Sequence, residues 1–487
     1  MRLTRRTILT GLLASAAGGA LAEAPATSLR PRARAVDFFK RALPTGDDLV
    51  ARAGLGAGKV AYVVADATTG EVLESRAPLL PQPPASTAKA LTALYHLDRL
   101  GPDHRFSTRL LATGPVVNGR IDGDLILAGG GDPTLDTDGL ARLASQLKDA
   151  GVREVAGNLR IWTGALPNLH EIDVEQPDHV GYNPAVGGLN LNFNRVHFGW
   201  ERKGGDYQVS MDARSATRIP GVAMARMQVV DRSGPVYTYA RGEARDDWTV
   251  ARGALGSNGS RWLPVRFPGL YAGEVFQTLA RSNGLMIGGP VLRADAPEGD
   301  ELARVDSAES RVILEDMLEY STNLTAEIMG LSASKSDGDV ETLAGSAARM
   351  NEWLKSEMGL RSVALEDHSG LGDDSRITAS DMCRAMVASG PDGALRPLMK
   401  PFRTDDTTIQ VAAKTGTLNF VSALTGFIGS DDGRRPLAFA VFCSDIDRRD
   451  ALSMAERERP AGGRAWAGRA RTLQRALIAH WNTWYRT

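Results

Sequence analysis

The sequence is poor in the residues that build disulfide frameworks and metal sites. Its 487 residues include two cysteines and seven histidines, and no histidine has the spacing of a metal-ligand motif. The 57 Lys and Arg against 58 Asp and Glu exclude a broadly basic, nucleic-acid-binding surface. Beyond the N-terminus, no apolar run reaches the roughly 18 residues of a membrane-spanning helix. A Gly-x-Ser-x-Gly segment is also missing, which argues against an α/β-hydrolase nucleophile elbow.

The N-terminus has the three-part layout of an export signal. Arg2, Arg5 and Arg6 precede an apolar run, and Ala20–Ala22 has the small-x-small pattern of a cleavage site. Residues 1–22 are therefore predicted to be a signal peptide. The mature protein is predicted to act in the periplasm or cell-wall space, without a stable membrane span. Twin-arginine routing, an ordinary secretory signal and an uncleaved anchor all stay open.

Changes of pattern divide the rest of the chain into three parts. A hairpin signal and a helix occupy residues 23–103, and short β-like runs with two helical patterns fill residues 104–299. Helices, three strands and a terminal helix occupy residues 300–487, and Asp431-Asp432-Gly433 is predicted to turn the last two strands into a hairpin. This order predicts an α/β fold of the α+β type. One antiparallel sheet flanked by helices would be interrupted by a mostly β insertion of one or two domains.

The two cysteines, Cys383 and Cys443, lie among apolar neighbours. Buried free thiols are the favoured interpretation. A disulfide between them stays open, because an oxidising compartment would permit it.

Serine and lysine three residues apart on a helix can form a nucleophile and its base, because they share one helix face. Three pairs have this spacing: Ser86–Lys89, Ser145–Lys148 and Ser332–Lys335. Ser86 follows a Pro-rich loop at a helix start, where a free N–H and the helix dipole can stabilise an oxyanion. Ser145 comes late in a helix and Ser332 comes at a helix end. Both of those pairs are interpreted as surface coincidences.

Two further motifs occur once each. Ser321-Thr322-Asn323 offers a hydroxyl for proton relay and an amide for a lysine amine, although a helix N-cap would look the same. Lys414-Thr415-Gly416-Thr417 offers a positive charge, a glycine that admits a substrate backbone, and hydroxyls for a carboxylate. A strand end with a glycine bulge would also fit it. Each motif alone is more often structural than catalytic.

In the order Ser-x-x-Lys, Ser-x-Asn, Lys-Thr-Gly, the motifs match the signature of penicillin-binding proteins and serine β-lactamases. The chain resembles the low-molecular-mass class C penicillin-binding proteins, the D-alanyl-D-alanine carboxypeptidase/endopeptidase family. The similarity extends to LILAGGGDPTL (Leu125–Leu135), EDHSGLGDDSRIT and ALTGFIGSDDGRRPLAFAVF. The gap of 235 residues between Ser86 and Ser321 favours this family over class A β-lactamases, whose gap is far shorter.

This resemblance implies a penicillin-binding-protein/serine β-lactamase-like fold and a role for each motif residue. Ser86 would be the acylated nucleophile and Lys89 its general base. Ser321 would pass a proton to the leaving D-alanine, and Asn323 would position Lys89 and the substrate. Lys414 would tune the proton network.

The Lys-Thr-Gly strand would bind the substrate. Thr415 and Thr417 would hold its carboxylate, and Gly416 would admit its backbone. The N–H groups of Ser86 and Thr417 would form the oxyanion hole. The implied partners are peptidoglycan stem peptides and, as covalent inhibitors, β-lactams, with no nucleic acid. No metal or organic cofactor is implied.

Several alternatives stay open. One is a β-lactamase or esterase on the same fold, and another is a non-catalytic peptidoglycan-binding or β-lactam-sensing protein. The preference for carboxypeptidase or endopeptidase action, the diamino acid of the stem and the oligomeric state also stay open. His368 stands where many relatives have Gly, and its neighbours Asp367 and Ser369 are interpreted as structural.

Overall fold

The computed structural model describes residues 43–429 and 433–486. The predicted signal peptide, with Asp431 and Asp432 of the predicted hairpin turn, lies outside the described residues. Within those ranges, no helix combines the length and the apolar character that crossing a bilayer requires.

Helices and strands follow one another in three stretches. Residues 43–103 contain α1 (Gly46–Arg52), β1 (Lys59–Asp66), β2 (Val72–Arg76), β3 (Pro81–Gln82) and α2 (Ala88–Leu100). Residues 104–306 contain β4 (Ser107–Ala112), β5 (Val116–Val117), β6 (Arg120–Ile121), β7 (Leu125–Gly129), α3 (Thr137–Asp149), β8 (Glu154–Val155), β9 (Leu159–Trp162), β10 (Arg195–Lys203), β11 (Asp206–Asp212), β12 (Ala225–Val230), β13 (Tyr237–Arg241), β14 (Asp246–Ala251), β15 (Asn258–Pro264), α4 (Pro268–Ser282), β16 (Met286–Ile287), β17 (Leu292–Arg293) and β18 (Asp300–Asp306). Residues 307–486 contain α5 (Ser310–Tyr320), α6 (Asn323–Lys335), α7 (Leu343–Ser356), β19 (Ile377–Thr378), α8 (Ala379–Ser389), β20 (Val411–Leu418), β21 (Val421–Ile428), β22 (Leu437–Ser444), α9 (Ile446–Asp450) and α10 (Gly463–Tyr485).

Strands from the two ends of the chain form one antiparallel sheet in the order β2-β1-β22-β21-β20. β21 and β22 are buried along their whole lengths, because helices cover both faces of the sheet. On one face α8 packs on small side chains such as Ala438 and Ala440, and α2 and α6 belong to the same core. On the other face α10 packs through Trp466 and Trp481. The predicted antiparallel sheet flanked by helices is confirmed.

Residues 104–306 form smaller sheets around a second core, into which α3 and α4 pack. β11 alternates between exposed and partly buried residues, as expected of a sheet with one face in water. β18 (Asp300–Asp306), which directly follows the predicted boundary between residues 299 and 300, pairs with β4. The division into domains stays a prediction.

Both cysteines are buried free thiols. Cys383 belongs to the core on one face of the central sheet, whereas Cys443 belongs to the core on the opposite face. The sheet therefore separates the two sulfur atoms and prevents a disulfide between them.

Candidate active site

Ser86 lies in a short 3-10 turn, Ala85–Thr87, that leads directly into α2. Ala85 has a φ of 46°, in the left-handed region that is costly for a residue with a Cβ atom. Such strain is common where a side chain must be presented for chemistry. Lys89, one helical turn later, donates a hydrogen bond from Nζ to Ser86 Oγ at 3.0 Å. The predicted nucleophile and base are therefore in contact.

Lys89 is completely buried. Its Nζ also donates to Asn323 Oδ1 at 2.7 Å and to the carbonyl oxygen of Ser369 at 2.8 Å. Burial lowers the pKa of Lys89 to about 8, although the nearby carboxylates of Asp367 and Glu327 oppose this shift. A substantial fraction of the amine is thus neutral near pH 8, as a base requires.

Ser321 and Lys414 form a second hydroxyl–amine pair. Lys414 Nζ donates to Ser321 Oγ at 2.9 Å and to the carbonyl oxygen of Thr415 at 2.8 Å. Burial, and then the charge of Lys89, lowers the pKa of Lys414. Ser321 is not a helix N-cap, since it ends α5 in a left-handed conformation with φ 59° and ψ 40°. Its hydroxyl is therefore available for proton transfer.

Gly416 allows β20 to approach the turn that carries Ser86. A Cβ atom at Gly416 would lie 2.7 Å from the carbonyl oxygen of Pro84 and 3.1 Å from the Ser86 nitrogen. A side chain there would therefore displace the backbone around the nucleophile. Thr417 is exposed and lines the cleft, whereas Thr415 is exposed on the same strand but is not among the cleft-lining residues.

Two residues that contact the site were not singled out from the sequence. The buried carboxylate of Glu327 accepts hydrogen bonds from the His368 and Ser369 nitrogens, each at 2.9 Å. It thereby fixes the loop whose Ser369 carbonyl holds Lys89. The spacing of four residues from Asn323 in EYSTNLTAE would have placed Glu327 on the same helix face. Burial, and then Asp367, raises the pKa of Glu327 to about 8.

The second such residue is Tyr182, which comes from the inserted region. Asn323 Nδ2 donates to the carbonyl oxygen of Tyr182 at 2.9 Å. The inserted region therefore contacts a motif residue directly, through a main-chain atom that no side-chain motif could have indicated.

The loop that resembles a catalytic triad is structural. Asp367 accepts hydrogen bonds from the Gly370 and Gly372 nitrogens at 2.6 and 2.7 Å. His368 points elsewhere, with Nε2 2.7 Å from Ser346 Oγ, and burial lowers its pKa to about 3. The side chains of Asp367 and His368 diverge, so the loop supports the site without forming a triad.

The other Ser-x-x-Lys pairs have no part in the cleft. Ser145 and Lys148 are exposed on α3. Ser332 and Lys335 are partly buried, and Lys335 Nζ donates to the carbonyl oxygen of Ala165 at 2.8 Å. This second pair is less exposed than a surface pair, because Lys335 links α6 to the inserted region. The interpretation of its spacing as a coincidence stays a prediction.

The three motifs meet at one cleft of about 980 Å³. Ser86, Ser321, Asn323 and Thr417 line it, and the inserted region adds Tyr182. A hydroxyl nucleophile, a partly neutral amine and a second hydroxyl–amine pair are the groups that acyl transfer needs. Within residues 43–429 and 433–486, no group of three or more His, Cys, Asp or Glu side chains is placed to hold a metal ion.

The chain is similar to known proteins over most of its length. The sequence model of the D-Ala-D-Ala carboxypeptidase 3 (S13) family matches residues 47–459. The D-alanyl-D-alanine carboxypeptidase of Actinomadura sp. (strain R39) is 28% identical over 419 residues, which cover 78% of this chain and 76% of that protein. The D-alanyl-D-alanine carboxypeptidase DacB of Haemophilus influenzae is 24% identical over 400 residues, which cover 77% of this chain and 82% of that protein.

A solved structure has the same fold. The crystal structure of penicillin binding protein 4 from Haemophilus influenzae matches with a TM-score of 0.73 at 19% identity, covering 91% of this chain and 100% of that chain. This likeness confirms the predicted fold.

Proposed function

The chain belongs to the D-Ala-D-Ala carboxypeptidase 3 (S13) family, and from this premise we propose that it is an exported serine carboxypeptidase with additional DD-endopeptidase activity. Its substrates are peptidoglycan stem peptides, and β-lactams acylate it as inhibitors. One observation supports this most strongly: Lys89 Nζ contacts both Ser86 Oγ and Asn323 Oδ1, at 3.0 and 2.7 Å. These bonds join motifs 234 residues apart around one nucleophile.

In the first step, Ser86 Oγ attacks the carbonyl carbon of the penultimate D-alanine. Lys89 Nζ, held by Asn323, accepts the hydroxyl proton. The N–H groups of Ser86 and Thr417 stabilise the negative oxygen that forms. The close approach of β20 to the Ser86 backbone, which Gly416 allows, supports this arrangement.

In the second step, the carbon–nitrogen bond breaks and the leaving amine takes a proton from Ser321 Oγ. The proton that Lys89 accepted from Ser86 is passed on through Lys414 and restores the Ser321 hydroxyl, so Lys89 is neutral again. Thr415 and Thr417 hold the carboxylate of the leaving D-alanine. A water molecule then attacks the acyl carbon and gives a proton to the neutral Lys89, and Lys89 returns this proton to Ser86 Oγ as the bond between the acyl carbon and Oγ breaks. If the leaving amine belongs to a neighbouring stem peptide, the same steps cut a cross-link.

Labelling with a fluorescent penicillin tests the nucleophile. The wild-type protein should become covalently labelled, and Ser86→Ala should abolish the label because no acyl bond can form. Ser145→Ala is a matched control, since Ser145 has the same Ser-x-x-Lys spacing but is exposed on α3. Persistent labelling of Ser86→Ala would remove Ser86 from this role.

Mass spectrometry of purified muropeptides tests the two activities. Release of D-alanine from pentapeptides is expected from the carboxypeptidase, and splitting of dimers from the endopeptidase. A wild-type protein that binds muropeptides but releases neither product would contradict the proposal.

A further inference from the structure

One wall of the active-site cleft carries a cluster of arginines beyond Thr417. The lining continues from Thr417 to Phe420, whose ring packs against Trp466 near the start of α10, with 6.2 Å between ring centroids. Arg459, Arg464 and Arg471 line this part of the cleft, and all three are exposed. We call these three residues the arginine wall.

The other charged side chains that line this part of the cleft are already in ion pairs. Arg449 and Arg457, which also line the cleft, both pair with Asp373. Glu458 pairs with Arg261 at 3.0 Å and also with a histidine. Over the part of the chain that the structure describes, the arginine wall forms no ion pair and no side-chain hydrogen bond. The cleft therefore has an excess of positive charge next to the site.

One residue of the arginine wall, Arg464, also lies where positive charge is unfavourable for the fold. Arg464 is in the first turn of α10, which has no acidic residue and no side-chain N-cap bond. The N-terminal end of a helix carries partial positive charge, so a cation there reduces helix stability. Residues that oppose local stability in this way are expected mainly at functional sites.

We propose that the arginine wall binds carboxylates of the leaving stem peptide when a cross-link is cut, an inference that rests on the proposed function. Thr417 would hold the carboxylate next to the leaving amine, and the arginine wall follows Thr417 along the same cleft. A leaving D-alanine has a single carboxylate, which Thr417 would already bind. A leaving stem peptide carries further carboxylates, and these match the unpaired charges.

The test compares two substrates with the triple variant Arg459→Gln, Arg464→Gln, Arg471→Gln. Its kcat/KM for a cross-linked muropeptide dimer should fall about tenfold, because each exposed charge contact contributes a small free energy. Its kcat/KM for a monomeric pentapeptide and its rate of penicillin acylation should change less than about twofold. Arg469→Gln is the matched control, since Arg469 is exposed on the same helix and is not among the cleft-lining residues.

A chemical variant of the substrate gives a second readout. Amidation of the leaving stem's further carboxylates, with the one beside the leaving amine kept free for Thr417, should lower the wild-type rate by a similar factor and should have little effect on the triple variant. Equal losses for dimer and monomer, or no loss at all, would overturn the inference. So would a wild-type protein that is acylated by penicillin but never splits dimers. Failure of wild-type acylation and of D-alanine release would instead contradict the proposed function.

Discussion

The region that carries the motifs and the inserted region bury their strands differently. In the motif region, residues 43–103 and 307–486, β21 and β22 are buried at every position, because helices pack on both faces of the sheet. In the inserted region β7 is also fully buried, but other strands have a face in water: β11 alternates exposed and partly buried residues as far as the buried Asp212, and every residue of β13 is partly or fully exposed. The reactive groups therefore stand beside a sheet that helices cover on both faces.

The buried polar side chains of the two regions also have different roles. The motif region buries ionisable side chains whose charges act on one another around Ser86: Lys89, Lys414, Glu327 and Asp367. The inserted region also buries charged side chains such as Asp246 and Arg266, but these hold main-chain groups: Asp246 accepts a hydrogen bond from the Arg266 nitrogen, and Arg266 donates to the carbonyl oxygen of Asn183. Burying charge is costly unless it is paired, and in the inserted region Arg266 pairs with Glu171 away from the cleft, whereas the buried charges of the motif region surround the candidate nucleophile. Substitutions should therefore affect reaction in the first region and mainly stability in the second.

The largest effect is expected from Lys89→Met, which removes the amine while keeping a long buried side chain. Acylation by penicillin should slow about a thousandfold, because Ser86 loses its base. Stopped-flow fluorescence with a labelled penicillin measures the rate. Lys148→Met, in an exposed Ser-x-x-Lys pair, should leave the rate unchanged. A Lys89→Met rate within tenfold of wild type would contradict the assignment.

The second-largest effect is expected from a glycine of the motif region, compared with a glycine of the inserted region. Gly416→Ala places a Cβ atom 2.7 Å from the carbonyl oxygen of Pro84, so the turn around Ser86 must move. Acylation should slow about a hundredfold, as when an oxyanion donor is lost. Gly221→Ala in the inserted region is the control, because its added Cβ meets no heavy atom within 4 Å. Similar rates for both variants would show that the close approach at Gly416 is unimportant.

The pH dependence should follow Lys89. Burial lowers its pKa to about 8, and only the neutral amine accepts a proton. The acylation rate should therefore rise with pH through about 8 and then level off, increasing about fiftyfold between pH 6 and pH 8 and about a hundredfold between pH 6 and the plateau. Circular dichroism at each pH checks that the protein stays folded. A rate that is flat or falls over this interval would assign the base to another group.

The sequence predicts the elements and motifs of the motif region better than it predicts the contacts that other residues make with them. Apolar strands and amphipathic helices predict the central sheet, and the order of three motifs predicts that Ser86, Ser321 and Lys414 meet. Glu327 was missed although its helical spacing from Asn323 is a usable signal. The contact at Tyr182 has no such signal, because it uses a main-chain carbonyl 141 residues away along the chain. Long-range contacts of this kind depend on how loops pack, which a local pattern does not record.

The smallest effect on acylation is expected from a substitution next to the contact between Asn323 and the Tyr182 carbonyl oxygen. It is also the most informative, because it tests whether the inserted region positions the site. Asn183 follows Tyr182 directly and is completely buried. Its Oδ1 accepts hydrogen bonds from the Ile172 and Asp173 nitrogens, both at 3.0 Å. Asn183→Ala leaves those donors unsatisfied and should lower the free energy of unfolding by about 2 kcal/mol. The loop that holds Asn323 is loosened, so acylation should slow about fivefold, because Asn323 then positions Lys89 less well.

Asn190→Ala is the control, since Asn190 is also a buried amide of the inserted region and does not line the cleft. Its Nδ2 donates to the Gly187 carbonyl oxygen at 2.8 Å, so its loss should destabilise the protein to a similar extent. Chemical denaturation and acylation kinetics, measured on both variants, separate stability from positioning. If both variants lose stability and only Asn183→Ala loses rate, the inserted region helps to position the site. If both lose rate equally, the inserted region acts on the reaction only through overall stability, and the contrast between the two regions is complete.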